Sequence, residues 1–124
     1  MPHLRLEYSA DLPAEIAAEE LLHELHSTLE RIGGIRIGNC KTRVWPASRY
    51  LVGNGLGDGA FVHCEVRFLE GRSLGVREAI GARLLDILVR AYGAEQRPDL
   101  QITVEVTEIE RATYFKHPPG TLTP

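Results

Sequence analysis

The sequence predicts a fold of the α/β (α+β) class: a duplicated β-α-β unit that makes one mixed sheet with two helices on one face. Three observations predict it. Alternating apolar and polar runs begin twice, at His3 and again at Ala60, with the period of two expected of a strand that has one greasy side. Each run is followed by a stripe of apolar residues at helical spacing. Each helix is followed by more extended chain, so the strand-to-strand crossovers are long enough for parallel pairing.

The first unit opens with Leu4, Leu6 and Tyr8 on one face and His3, Arg5 and Glu7 on the other. Asp11 and Pro13 read as a helix start, an acceptor for free N–H groups and a proline for the first turn. Ala18, Leu22, Leu25, Leu29 and Ile32 form the stripe, and Gly33-Gly34 ends it. From Ile35 to Val52 the pattern weakens, and Pro46 argues for short extended pieces such as an edge or bent strand. "GNGLGDG" at 53–59 is a glycine-rich loop that fits neither a phosphate-binding nor a dinucleotide fingerprint. Its place before the second unit puts it near the mouth of a site.

The second unit alternates Ala60, Val62, Cys64, Val66 and Phe68 against Phe61, His63, Glu65, Arg67 and Leu69. Ser73 is the predicted N-cap of a helix whose stripe is Val76, Ile80, Leu84, Ile87 and Ala91, closed by Gly93. Leu100, Ile102, Val104 and Val106 alternate with polar residues in a last strand, and the tail from Phe115 reads as irregular. The second sheet face would then carry Arg5, Glu7, His63, Glu65, Arg67, Gln101, Thr103 and Glu105. Such a face is either solvated or buried against other subunits, where Arg and Glu can pair.

The chain has 124 residues, 44% of them hydrophobic and 25% charged, which suits one globular domain over residues 1–124. Fourteen basic against seventeen acidic residues leave a net charge of -3, so nothing attracts nucleic acid or an anionic membrane in general. No apolar run approaches a membrane span, and His3, Arg5 and Glu7 interrupt any signal-peptide pattern at the start. Two cysteines, Cys40 and Cys64, make no disulfide framework, and the expected location is a reducing cytoplasm. His23 and His26 read as surface histidines, and no zinc ligand set can be assembled around His3 and His63, so no metal is expected. Those two occupy matching places in the two units, where either a supporting role beside a site or an interface role fits. Trp45 and Tyr50 could line an apolar wall or simply pack.

Pro2 has two readings. A proline is tolerated at the first position of a strand. If Met1 is removed, Pro2 is instead a free secondary amine, and a free α-amino group titrates near neutrality.

"MPHLRLEYS", "KTRV" at 41–44, "AFVHCEVRFLEGRSLGVREAIGARLLDIL" at 60–88 and "VEVTEIE" at 104–110 together resemble the 5-carboxymethyl-2-hydroxymuconate isomerase family of the tautomerase superfamily. The resemblance implies a tautomerase-like fold, a homotrimer with sheets inside and helices outside, and a cofactor-independent isomerase of aromatic catabolism. It implies Pro2 as the catalytic base and Arg72 of "GRS" as a substrate-binding arginine. A second family arginine falls at Lys41, which keeps the charge but loses the bidentate fork, and Arg43 on the same strand face could compensate. The partner implied is a small carboxylate substrate of the 2-hydroxymuconate type. Two other functions suit the same scaffold: enol–keto tautomerisation of another 2-oxo acid, and a non-catalytic trimeric ligand-binding protein. If the opening strands of the two units were parallel neighbours, Pro2 and Arg72 would lie at opposite sheet edges, and a shared site would need Arg72 from an adjacent subunit.

Overall fold

A computed structural model describes residues 2–118 of the chain. Strand β1 (His3–Ser9) leads through a single 3-10 turn (Ala14–Ala17) into helix α1 (Glu19–Gly33), then into strand β2 (Lys41–Ala47). Strand β3 (Ala60–Leu69), helix α2 (Leu74–Tyr92) and strand β4 (Leu100–Ile109) repeat the pattern. The four strands form one sheet in the order β2-β1-β3-β4. Within each unit the strands are parallel, β1 with β2 and β3 with β4, and the units join through antiparallel β1 and β3.

That antiparallel seam decides which ends of the strands meet. His3 pairs with Arg67 and Tyr8 with Val62, so the start of β1 lies beside the end of β3. The premise that would have put Pro2 and Arg72 at opposite edges therefore does not hold; strand direction places both at one end of the same protomer. The loop at 53–59 feeds the start of β3, at the Ser9 end of β1 and away from Pro2, not at the mouth expected for it. Ser9 closes that far end: its hydroxyl accepts from the Phe61 N–H at 2.9 Å.

Alternation gives the sheet its two faces. Leu4, Leu6, Val62, Cys64, Val66 and Phe68 are all buried and face Leu25 and Leu29 of α1 and Ile80, Leu84, Ile87 and Leu88 of α2. Fully burying one such side chain contributes about 1.5–3 kcal/mol, so this layer holds the fold together. Cys64 lies inside it and burial pushes its thiol up to about 12, which makes it an inert core residue.

The two helices start differently. Ser73 caps α2 as its sequence predicts, its hydroxyl accepting from the Val76 N–H at 3.2 Å. Asp11 does not cap α1; its carboxylate accepts from the Tyr50 hydroxyl at 2.6 Å instead. Helix α1 begins later than predicted, after an extended Ala18 (φ -80°, ψ 171°) with no side-chain cap. The buried stripe shifts accordingly to Leu21, Leu25, Thr28 and Leu29, leaving Ala18 exposed and Leu22 and Ile32 half-buried. Thr28 is tolerated inside because its hydroxyl donates to the Glu24 carbonyl at 3.0 Å. On α2 the buried stripe is Ile80, Leu84, Ile87, Leu88 and Tyr92, with Ala91 exposed rather than buried.

The weak stretch after α1 resolves into β2, an edge strand whose outer side has no neighbour among the described residues. Pro46, which has no N–H to donate, sits in it as edge geometry permits. At the other edge the chain leaves β4 through a 3-10 turn (Arg111–Thr113). Glu70, just past β3, holds that turn: its carboxylate accepts from the Arg111 N–H at 2.7 Å and its own N–H donates to the Ile109 carbonyl at 3.0 Å. The chain is thereby turned back across the end of β3 toward β1.

Candidate active site

The shared end of β1 and β3 carries most of the chemistry. Pro2 is buried there, and its carbonyl accepts from the Lys41 N–H at 3.2 Å. That bond extends the β1–β2 ladder by one step and fixes Pro2 beside the start of β2. Alternation puts Pro2 on the helix side with Leu4, and puts His3, Lys41 and Arg43 on the other side. The residues predicted for the site therefore straddle the sheet's end.

Lys41 and Arg43 are exposed. Lys41 Nζ donates to the Asn39 carbonyl at 2.9 Å, using one of an ammonium's three donors. Arg43 Nη1 donates to His3 Nδ1 at 3.0 Å, leaving the rest of its fork open.

Arg72 lies on the helix side, its guanidinium carbon 5.2 Å from the centre of the Phe68 ring. Nε donates to the Gly33 carbonyl at 2.8 Å and Nη1 to the Leu69 carbonyl at 3.4 Å. Arg72 thus clasps the end of α1 to the end of β3. Gly71, at φ +125°, supplies the backbone conformation that returns Arg72 to this place. Nη2 is buried and has no protein partner among the described residues. Burial, then the charge of Arg111, pulls the Arg72 guanidinium below its ordinary value.

On the opposite face, a cavity of about 430 Å³ opens beside β1, within the range of small-ligand sites. It is lined by His3, Arg5, Arg43, Glu65, Arg67 and Tyr114, with Leu4, Trp45 and Ile109 as its apolar part. Three arginines stand against one glutamate, so the cavity attracts anions although the chain is net negative. Arg5 stacks over Trp45, 4.8 Å from the ring centre, which assigns Trp45 to the cavity wall. Tyr50 lies elsewhere, edge-on to Phe61.

His3 is held from both sides. Arg43 donates to Nδ1, and Nε2 lies 2.8 Å from the Tyr114 hydroxyl. Guanidinium only donates, so Nδ1 carries the lone pair and Nε2 the proton. Burial first, then the charges of Arg43, Lys41 and Arg67, lowers the pKa of His3 below its ordinary value of 6.5, in keeping with a neutral ring. Of the helix histidines, His23 is exposed, while His26 is half-buried and bonds the Thr42 hydroxyl of β2. Its pKa is lowered, mainly by burial.

A family model for 5-carboxymethyl-2-hydroxymuconate isomerase matches residues 2–119. The chain belongs to the 5-carboxymethyl-2-hydroxymuconate isomerase family. It is 26% identical over 117 residues to the 5-carboxymethyl-2-hydroxymuconate Delta-isomerase of Escherichia coli, covering 94% of this chain and 93% of that protein. It is 30% identical to a solved 5-carboxymethyl-2-hydroxymuconate isomerase from Deinococcus radiodurans, with a TM-score of 0.82 over 93% of this chain and 87% of that one. A fused 4-OT wild-type symmetric trimer shares the fold alone, at 15% identity and a TM-score of 0.75 over 97% of this chain and 95% of that one.

For this isomerase-family chain, the sequence pointed to Pro2, Lys41, Arg43 and Arg72 but not to Arg67 or Tyr114 as cavity residues. Arg67 was visible as one charge among many on the second face. Tyr114 carried no signal, because only the turn at Arg111–Thr113 brings it back to His3. No helix among the described residues is long and apolar enough to cross a membrane.

Proposed function

We propose that this chain is a cofactor-independent isomerase of 2-hydroxymuconate-type acids, of the 5-carboxymethyl-2-hydroxymuconate kind, with Pro2 as its base. The observation that carries the reading is the placement of Pro2 at a sheet end where Lys41 and Arg43 gather. Removal of Met1 frees the ring nitrogen. Partial burial and neighbouring cations both favour its neutral form, which a base near neutral pH requires. The nitrogen takes a proton from one atom of the conjugated acid and, as the ammonium, returns it to another. Between the two transfers the electron pair passes through the conjugated chain as a dienolate. No oxidant or metal enters that balance.

The cations hold the acid. Lys41 and Arg43 keep donors for a substrate carboxylate that no described residue takes, and Arg72 is the further cation of this sheet end. A charged hydrogen bond to the developing dienolate oxygen stabilises it where charge appears. The assembly is a homotrimer in this reading, with the charged sheet face turned inward; the open edges of β2 and β4 and the likeness to a symmetric trimer support it.

The test is direct. Mass spectrometry of the purified protein should show a chain that begins at Pro2. Ultraviolet assay of 5-carboxymethyl-2-hydroxymuconate should then show Pro2→Ala slower by about a hundredfold or more, the lower range of general-base contributions. A Pro2→Ala protein with wild-type turnover would overturn the assignment. Turnover of other enol acids with none of the carboxymethyl compound would favour enol–keto tautomerisation.

A further inference from the structure

Family resemblance implies that Arg72 binds the substrate, yet its contacts leave it little to bind with. Nε donates to the Gly33 carbonyl at 2.8 Å and Nη1 to the Leu69 carbonyl at 3.4 Å. The third nitrogen, Nη2, is buried. The guanidinium carbon lies 5.2 Å from the centre of the Phe68 ring, and Phe68 belongs to the core. The backbone of Arg72 is held too: its carbonyl accepts from Arg77 Nε at 3.3 Å, and Arg77 pairs with Glu108 of β4 at 3.7 Å.

The charge remains. A guanidinium keeps its proton at any working pH, and no carboxylate pairs with Arg72 among the described residues. A buried charge is screened far less than a solvated one, so its field reaches its neighbours. The antiparallel seam shows which neighbour matters. His3 lies opposite Arg67 and Leu4 opposite Val66, and the same register continued by one step sets Pro2 opposite Phe68. Residues so opposed have Cα atoms about 4.5–5.5 Å apart. Both are buried, so the ring under the Arg72 guanidinium is the cross-strand neighbour of Pro2. These contacts lie on the helix side of the sheet, away from the face that a trimer turns inward.

We propose that Arg72 acts on the base rather than on the acid: held over Phe68 by the end of α1, its charge disfavours the ammonium of Pro2 and keeps the ring nitrogen free to take a proton. Arg72 is then a positioning residue that touches neither substrate nor the reacting atoms. The inference rests on the reading of Pro2 as the base. It divides the cations of this sheet end by task, Lys41 and Arg43 for the acid and Arg72 for the amine. Beside His3 of β1, the other groups that face this end are Lys41 and Arg43 of β2, Arg67 of β3, Glu30 of α1, Arg111 and the Cys40 thiol. All of them stay in place when Arg72 alone is changed.

Nitrogen NMR of proline-labelled protein and the pH profile of 5-carboxymethyl-2-hydroxymuconate isomerisation test this on the full chain. Arg72→Gln removes the charge, so Pro2 should titrate at higher pH than in the wild type. The acid side of the kcat/KM profile should fall by about tenfold, the low end of what one neighbouring charge does. At alkaline pH, where Pro2 is neutral in both proteins, KM should stay within about threefold. Arg72→Lys keeps the charge but not the fork. It should keep the alkaline KM as well, and it carries the test if Arg72→Gln does not fold. A cation that held the substrate carboxylate would behave otherwise: its loss would raise KM by about tenfold at every pH and leave the Pro2 titration unmoved. An unmoved Pro2 titration in Arg72→Gln, or such a rise in alkaline KM in either variant, would overturn the proposal. The role of Pro2 is read separately. An active Pro2→Ala protein fails the base assignment, and an inactive one leaves it standing whatever Arg72 does.

Discussion

The two β-α-β units share a topology and differ in the charges around one matched histidine. In the first, His3 lies opposite Lys41 in the parallel neighbour and bonds Arg43, two residues further on. In the second, His63 lies opposite Thr103 and approaches Glu105, again two residues further on, at 3.6 Å. The same backbone thus presents each histidine to the same pair of positions. A cation in one unit forces the ring to accept; an acid in the other invites it to donate. The other nitrogen of each ring meets a hydroxyl, that of Tyr114 for His3 and that of Thr103, at 2.6 Å, for His63. Duplication supplies the scaffold twice, and three differences around the histidine, Lys41 for Thr103, Arg43 for Glu105 and Arg67 for Glu7, make one end of the sheet cationic.

If the units are equivalent as structure, matched core truncations should cost alike. Leu25→Ala in α1 and Leu84→Ala in α2, both fully buried, should each destabilise by about 2–5 kcal/mol in urea denaturation. A large gap between them would show that one unit carries the fold. If the units are unequal as chemistry, matched charge changes should not cost alike. Arg43→Met should raise KM for the carboxymethyl substrate by about tenfold, the loss of one charge-assisted contact. Glu105→Gln, its counterpart, should leave KM within about twofold, as an exposed pair contributes little. Equal effects would erase the distinction.

The helix starts offer a smaller contrast. Ser73→Ala should cost about 1 kcal/mol by removing the cap of α2, and Ala18→Ser should recover part of that by giving α1 the cap it lacks. The smallest effect is in acid. The folded protein disfavours a proton on His3, which faces Arg43 and Lys41 from β2, Arg67 and Glu65 from β3, and Tyr114. The unfolded chain binds that proton near pH 6.5, so stability is full above this value and falls as pH drops below it. His26, also lowered, adds to the loss. His3→Gln should flatten part of the slope between pH 7 and 5 in thermal melts; an unchanged slope would contradict the half-buried, neutral His3.

Elements whose pattern is local were legible in the sequence. The alternation of β1, β3 and β4, the Ser73 cap and the glycine stops of both helices follow from spacing and backbone preference. The start of α1 was not, because Asp11 has a competing partner in Tyr50, which is distant in sequence. The candidate site residues divided in the same way. Pro2, Lys41, Arg43 and Arg72 lie in the stretches that resemble the family, whereas Tyr114 depends on a turn anchored by Glu70. The clasp made by Arg72 was equally hidden, since its acceptors are backbone carbonyls of Gly33 and Leu69, and no side-chain pattern announces a carbonyl.

The central claim is that the Pro2 nitrogen is a free amine held near neutrality by its surroundings. Nitrogen NMR of protein labelled at proline follows that atom through its titration. The account predicts a single terminal proline resonance that titrates at lower pH in the native protein than in the same chain unfolded in denaturant. A Pro2 nitrogen that stays an amide at every pH, or that titrates higher when folded, would contradict it.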